Sequence, residues 1–428
     1  VYMSLKFPSL KILHCADLHL DAALSGSLRT SQNAYIDDRD IAILRDAPLL
    51  ALNNISKTAI NEKVDILIIA GDLFNMKDDA AMNHRVRSYL FNFFKILELE
   101  NIQVVITVGN HDPLKFISEI SASWPKNVFL FSNKEVETVS FIFNDHSVDI
   151  HGVSYATQNE DRNLAKQFPT KTNADFNIAV LHTNVGGDLN HSNYAPSSLK
   201  TLTSYDYDYF ALGHIHKRAI LSDNPLVAYS GNHQAFSPKP SECEAKGVSI
   251  IEFEHPGSIA ISIFIETDVV RYIKEDLTIE NSNSVEEIAE NIKLQLENTY
   301  EDISQLILCR LVLTLIEFEG SYIDTDDLTD IINENITGVI ITEIKTNSQT
   351  ESFEELVQNS EYFQSIEQEI DSIGNIEIDE LYGKQALKIS NALSISEINV
   401  SDYVPIDTEI EVKEYISQVH NELLGKTK

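Results

Sequence analysis

Five short segments place histidines and carboxylates in a fixed order along the chain, each directly after a short apolar run. They read Asp17-Leu18-His19, Gly71-Asp72-Leu73, Gly109-Asn110-His111-Asp112, Leu181-His182-Thr183 and Gly213-His214-Ile215-His216. The runs before them, 11–15, 65–70, 102–108, 177–181 and 208–212, are apolar and rich in Ile and Val, the pattern of buried strands. The donors are thereby expected at the carboxyl ends of several strands of one sheet, where open α/β folds build their sites. A mixed set of Asp, Asn and His suits Mn²⁺, Fe²⁺ or Zn²⁺, and a shared carboxylate lets two ions lie about 3.5 Å apart.

The spacing suggests how the donors divide. Asp17, His19, Asp72 and His216 are expected to hold a first ion. Asp72, Asn110, His182 and His214 are expected to hold a second, with Asp72 bridging. His111 follows Asn110 and points elsewhere by the alternation of extended chain, so it is the candidate to protonate a leaving oxygen. Asp112 is expected to fix its tautomer. His14 and His151 fall inside strands and are expected in the core. His84, His191 and His233 fall in loops, where they could touch substrate, although solvation is the ordinary fate of a loop histidine.

Helical stretches near 40–61 and 81–98 separate the first three strands, a βαβ layout. From 126 to 155 the pattern turns to short β runs. After 212 come further strands without a helix between them. This order predicts an α/β fold of two mixed, packed sheets flanked by helices, over residues 1–269. Residues 270–346 alternate strand, helix, strand, helix and strand, a βαβαβ unit whose first helix opens with Ser284 and Glu287 as a capping box. Residues 347–428 are acidic and mostly helical in pattern. Their apolar stripes, Phe353 to Ile366 and Val412 to Leu423, make this region a candidate for docking a partner.

The formal charge of the 428-residue chain is −34, which argues against a simple cationic nucleic-acid binder. The charge is uneven, with 34 acidic against 10 basic side chains in residues 271–428. Three widely spaced cysteines suggest a reducing, cytoplasmic setting. No apolar run approaches the length of a membrane span, so no transmembrane helix is expected, and the residues at 1–10 lead to no expectation of secretion.

The ordered series DxH, GDLF, GNHD, H and GHxH resembles the calcineurin-like metallophosphoesterases. Within them, HCADLHLD at 14–21, the block at 181–218 and LVAYSGNHQAFSPKPSECEAKGVSIIE at 226–252 resemble the SbcD-type DNA repair exonucleases, especially their YhaO branch. That resemblance covers about residues 10–255 and extends more weakly to 270–346, as a capping domain. It implies a Mn²⁺-dependent phosphodiesterase that cleaves DNA, as an exonuclease or also an endonuclease. It also implies a coiled-coil ATPase partner of the SbcC or SMC type, with a homodimer among the assemblies open to it. Asn75 stands after GDLF where such enzymes often carry His or Asp, a position implied to lie near the scissile phosphate. Ser230 stands where the proline of the PGN block is usual. Contacts to DNA would fall to loops near Arg85, Arg87, Lys115, Lys217 and Arg218, or to the partner. Phosphatases and cyclic-nucleotide phosphodiesterases share the metal series, so a small-nucleotide substrate is the alternative, as is a scaffold with little activity.

Overall fold

The fold is that of a computed structural model, which describes residues 9–24, 36–75, 84–112, 114–186, 194–280, 282, 284–316 and 323–348. The C-terminal stripes at 353–366 and 412–423 lie outside the described residues.

The apolar runs form strands close to their expected bounds. The first sheet contains β1 (Leu10–Cys15), β2 (Ile66–Ala70), β3 (Gln103–Thr107) and β4 (Val128–Leu130). Its connections include α1 (Asp38–Glu62), α2 (His84–Leu99) and α3 (Leu114–Ser121). The second sheet contains β5 (Glu137–Phe143), β6 (His146–Gly152), β7 (Phe176–His182), β8 (Tyr209–Gly213), β9 (Ala219–Asp223) and β10 (Leu226–Tyr229), with α4 (Leu199–Thr203) before β8. Two later strands, β11 (Gly247–Phe253) and β12 (Ile261–Glu266), return to the first sheet.

The sheet orders are β12-β11-β1-β2-β3-β4 and β5-β6-β7-β8-β10-β9. β1 pairs parallel with β2 and antiparallel with β11, so the first sheet is mixed. The second is also mixed, with β7 parallel to β8 and β5 antiparallel to β6. Thus the strands that precede the five motifs belong to two sheets, not to one. The reason is that β2 and β7 are apolar on both faces, and each must be covered on both sides. One face of β2 contributes Leu67 and Ile69 to a core beneath α1 and α2. The other contributes Ile66 and Ile68 to the layer between the sheets, against Ile178 and Val180 of β7.

Residues 270–348 form a three-stranded, all-parallel sheet, β13 (Val270–Glu280), β14 (Leu306–Ile316) and β15 (Val339–Ser348), in that order. Its helices are α5 (Val285–Tyr300) and α6 (Thr325–Asn335). Ser284 accepts the Glu287 N–H at the start of α5, satisfying one of the donors that a helix start leaves open. Ile288, Ile292 and Leu296 of α5 pack on Ile307, Cys309 and Leu311 of β14. The opposite face of the sheet, through Val270, Tyr272, Leu306 and Leu308, packs on Leu44 and Ala47 of α1 and on Ala235.

Candidate metal centre

The series converges where the carboxyl ends of β1, β2, β3, β7 and β8 meet. Asp17 and Asp72 follow β1 and β2, and both are buried. Four residues here hold positive φ without being glycine: Asp17 at 53°, His19 at 41°, Asp72 at 53° and His214 at 101°. Such backbone costs energy, of order 1–3 kcal/mol each, and clusters at functional sites. The sheets close tightly beneath it. Gly213 ends β8 so near β2 that an added Cβ would lie 1.8 Å from the Ala70 carbonyl oxygen.

Two donor groups result, each with ligand atoms within 4.8 Å of one another: Asp17, His19 and His216, and Asp17, Asp72 and His182. An Asp72 oxygen lies 3.9 Å from His19 Nε2 and 3.5 Å from His182 Nε2, between the two imidazoles. Asn110 Oδ1 lies 3.1 Å from His182 Nε2. The His214 ring stands 5.2 Å from that of His182, and its backbone N–H donates to both Asp17 oxygens, at 3.2 and 3.1 Å. All seven residues expected as ligands are thus gathered in one place.

The imidazoles are oriented alike. His19 Nδ1 donates to the Phe74 carbonyl at 3.2 Å, His182 Nδ1 to the Ala70 carbonyl at 2.9 Å, and His216 Nδ1 to Glu242 at 3.0 Å. Carbonyl and carboxylate oxygens only accept, so the proton of each neutral ring sits on Nδ1 and Nε2 keeps its lone pair. His19 Nε2 and His216 Nε2 face each other at 3.3 Å. Two lone pairs at that distance repel unless a cation or a proton lies between them. The donor set therefore fits divalent ions.

Burial and neighbouring charges act on these groups in opposing directions. Burial pushes the Asp17 carboxyl up. Burial acts on Asp72 in the same sense, but the imidazoles of His182, His19 and His111 outweigh it and hold its carboxyl below the usual range. Burial drives His19 down to about 3, favouring a neutral ring. Burial also lowers His216, yet its bond to Glu242 and the Asp17 charge raise it overall.

His111 is half-buried, with its ring centroid 5.0 Å from that of His19 and edge-on to it, while its backbone N–H donates to Asp72. Asp112 corrects the sequence-based expectation. Its carboxylate does not bond the His111 ring; it accepts the backbone N–H groups of Phe74, Leu73 and Gly109 at 2.9, 3.0 and 3.2 Å. Those bonds clamp the loop after β2 to the loop after β3, an irregular turn that extended alternation does not describe. Burial and the nearby Asp72 charge push the Asp112 carboxyl up.

The residues expected to meet substrate bond to other groups of the chain. The Asn75 N–H donates to Asp21. Arg85 pairs with Asp46. Lys217 pairs with Glu244 at 3.0 Å. Arg218 donates to Ser249 and Ser262 and lies over the Phe264 ring. The Lys115 side chain lies outside the described residues. His14 and His151 are in the core as expected. His233 lies in a loop as expected but is buried rather than solvated, and bonds the Pro48 carbonyl at 3.0 Å.

Sequence reasoning missed Glu242. It lies in a single turn of 3₁₀ helix, Pro240–Glu242, far along the chain from the motifs. Burial alone would raise its carboxyl, but the bond to His216 and the Phe236 N–H outweigh that and bring it down to about 2. The available signal was its place in the block at 226–252.

Residues 10–218 match the family model for calcineurin-like phosphoesterases. This part of the chain belongs to the calcineurin-like metallophosphoesterases. Relatives extend the match. YhaO of Bacillus subtilis (strain 168), itself an uncharacterized metallophosphoesterase, is 33% identical over 228 residues, 53% of this chain and 53% of YhaO. SbcD of the nuclease SbcCD from Staphylococcus saprophyticus is 25% identical over 270 residues, 58% of this chain and 66% of that protein. SbcD from Staphylococcus epidermidis is 22% identical over 309 residues, 64% of this chain and 77% of its own length. The match to YhaO spans about half of that protein's length. Among solved structures, the Plasmodium inner-membrane-complex anchor GAP50 aligns over 61% of this chain and 85% of its own, with 13% identity and a TM-score of 0.38. A dimetal phosphatase from Danio rerio aligns over 60% of this chain and 99% of its own, with 10% identity and a TM-score of 0.34. Both scores are low and add nothing to the assignment. Calcineurin-like phosphoesterases use divalent metals, and the two mixed sheets with their flanking helices are the fold of that family. Among the described residues no helix is long and apolar enough to cross a membrane.

Proposed function

We propose that this chain is a Mn²⁺-dependent phosphodiesterase that cleaves DNA, as an exonuclease or also an endonuclease, together with a coiled-coil ATPase of the SbcC or SMC type in the cytoplasm. The carrying observation is the convergence of Asp17, His19, Asp72, Asn110, His182, His214 and His216, with the Nε2 lone pairs of His19, His182 and His216 turned inward. The relation to the two SbcD proteins supports the choice of DNA and of the partner.

Bound divalent ions supply a nucleophile from water at neutral pH and neutralise charge on the phosphate. Asp17, His19, Asp72 and His216 would hold one; Asp72, Asn110, His182 and His214 would hold the other. The chain does the remaining work. The carbonyls of Ala70 and Phe74 and the carboxylate of Glu242 fix three rings, so little reorganisation is needed when substrate arrives. His111 gives its proton to the leaving oxygen of the phosphodiester, from its half-exposed position beside His19. Asp112 acts indirectly, by clamping the loops that carry Asp72 and Asn110.

One observation favours the other substrate class, a small nucleotide. Arg85 and Lys217 are paired with carboxylates, and the whole chain carries a charge of −34, so few cations are left to meet DNA phosphates. A single comparison decides between them: turnover of labelled duplex DNA, a cyclic nucleotide and bis-p-nitrophenyl phosphate by the purified chain, with and without Mn²⁺. Mn²⁺-dependent cleavage of the duplex is the expected result. Turnover of the small esters with the duplex left intact, even with the partner ATPase added, would overturn the DNA reading.

A further inference from the structure

His216 closes the first donor group, yet it lies beyond the end of β8, in a segment with no strand to hold it. Its restraint comes from one short stretch of chain, residues 231–246. The ring Nδ1 donates to Glu242 Oε1 at 3.0 Å. The His216 carbonyl accepts the Asn232 N–H at 3.2 Å and Lys246 Nζ at 3.0 Å. Gly231, at φ 74°, lets that stretch pass close by, since a Cβ there would meet the same carbonyl at 2.8 Å. Glu242 is itself held. Its other oxygen accepts the Phe236 N–H at 2.5 Å and Asn232 Nδ2 at 3.4 Å, and the residue is only 5% exposed. The Phe236 ring then packs edge-on against His19 at 5.4 Å.

We propose that Glu242 is a positioning residue for the first metal group, fixing the His216 imidazole so that Nε2 faces Asp17 and His19. This rests on the metal-centre reading above. A carboxylate behind a ligand imidazole sets its tautomer and rotation and raises its basicity, and removal of such a partner typically weakens metal binding about 10- to 100-fold. Glu242 reaches one imidazole of the seven ligands, so its loss acts on one ion. His182 has its own acceptor, the Ala70 carbonyl, and the second group stays as it is.

The test titrates Mn²⁺ into the metal-free full-length protein and follows free Mn²⁺ by its electron paramagnetic resonance signal. Wild type should bind two equivalents. Glu242→Gln keeps an oxygen for the Phe236 N–H but loses the charge, and one equivalent should weaken about 10- to 100-fold while the other is unchanged. Glu242→Ala should weaken that same equivalent further. Two unchanged equivalents in Glu242→Gln would overturn the proposal and leave the metal centre standing. Equal weakening of both, or failure of Glu242→Gln to fold, would also overturn it, because the carboxylate would then be holding the loop and not the ring. A wild-type chain that binds no Mn²⁺ would overturn the metal reading itself, and this proposal with it.

Discussion

His111 and Asp112 are neighbours in sequence with opposite surroundings, and the difference has measurable consequences. His111 is half-buried beside His19, whereas Asp112 is buried and accepts three backbone N–H groups. His111→Ala should leave the melting temperature and Mn²⁺ stoichiometry unchanged while slowing DNA cleavage by roughly 10²-fold or more. An ester with an activated leaving group should lose less, since it needs no proton. Equal losses on both substrates would assign His111 to charge stabilisation instead. Asp112→Ala should act first on stability. It strands three N–H groups in the interior, at a cost of roughly 3 kcal/mol or more, read as a lower midpoint in urea. An unchanged midpoint would contradict the clamp. Asp72 combines both roles, as a ligand facing His19 and His182 and an acceptor for the His111 N–H. Asp72→Ala should abolish both activity and the binding of two Mn²⁺ ions; two tightly held ions in that variant would refute the ligand assignment.

At the level of elements, the strands that deliver the ligands are legible because they are mostly apolar. β2 and β7 are buried at every position, and a run such as Ile66–Ala70 has no other plausible fate in a chain of this composition. The unit at 270–348 is legible for a different reason: strand and helix periods alternate cleanly, and Ser284 marks the start of α5. What escaped has a physical cause in each case. β9 is short, follows the ligand loop directly and has a mixed pattern of exposure, so no periodicity announces it. The division of the motif strands between two sheets depends on long-range pairing, such as that of β1 with β11 some 240 residues later. Asp112 and Glu242 act through irregular turns, where neither the helical nor the extended period applies. The packing of β8 on β2 supplies a further test. Gly213→Ala would drive a Cβ to 1.8 Å from the Ala70 oxygen and 2.9 Å from His182 Nδ1. It should cost roughly 1–3 kcal/mol or more, the range for an overpacked interior, and weaken Mn²⁺ binding through His182. Gly257→Ala makes a fair control, because nothing lies within 4 Å of its added Cβ. Only its φ of 77° is unfavourable, at about 1–2 kcal/mol. Mn²⁺ affinity equal in the two variants would mean that the β2–β8 approach does not position the site.

For the whole molecule, the governing fact is the separation of chemistry from charge. Every proposed ligand lies between Asp17 and His216, while residues 271–428 carry 34 acidic against 10 basic side chains. Residues 350–428 lie wholly within that acidic part of the sequence. We infer that this unit docks the partner ATPase, because its sequence holds no member of the metal series but two apolar stripes, Phe353 to Ile366 and Val412 to Leu423, at helical spacing. A chain ending at residue 349 should then keep both Mn²⁺ equivalents and full turnover of bis-p-nitrophenyl phosphate. It should lose association with the ATPase and any ATP-stimulated cleavage of duplex DNA. The acidity of the docking region implies a basic surface on the partner, so association of the full chain should weaken as salt rises from about 0.05 to 0.5 M, the range over which the Debye length falls to a few ångströms. Pull-down of the ATPase by both chains across that series measures both effects. A shortened chain that binds the partner at full strength would refute docking by this unit. One that melts well below the full chain would instead assign the stripes to the fold itself.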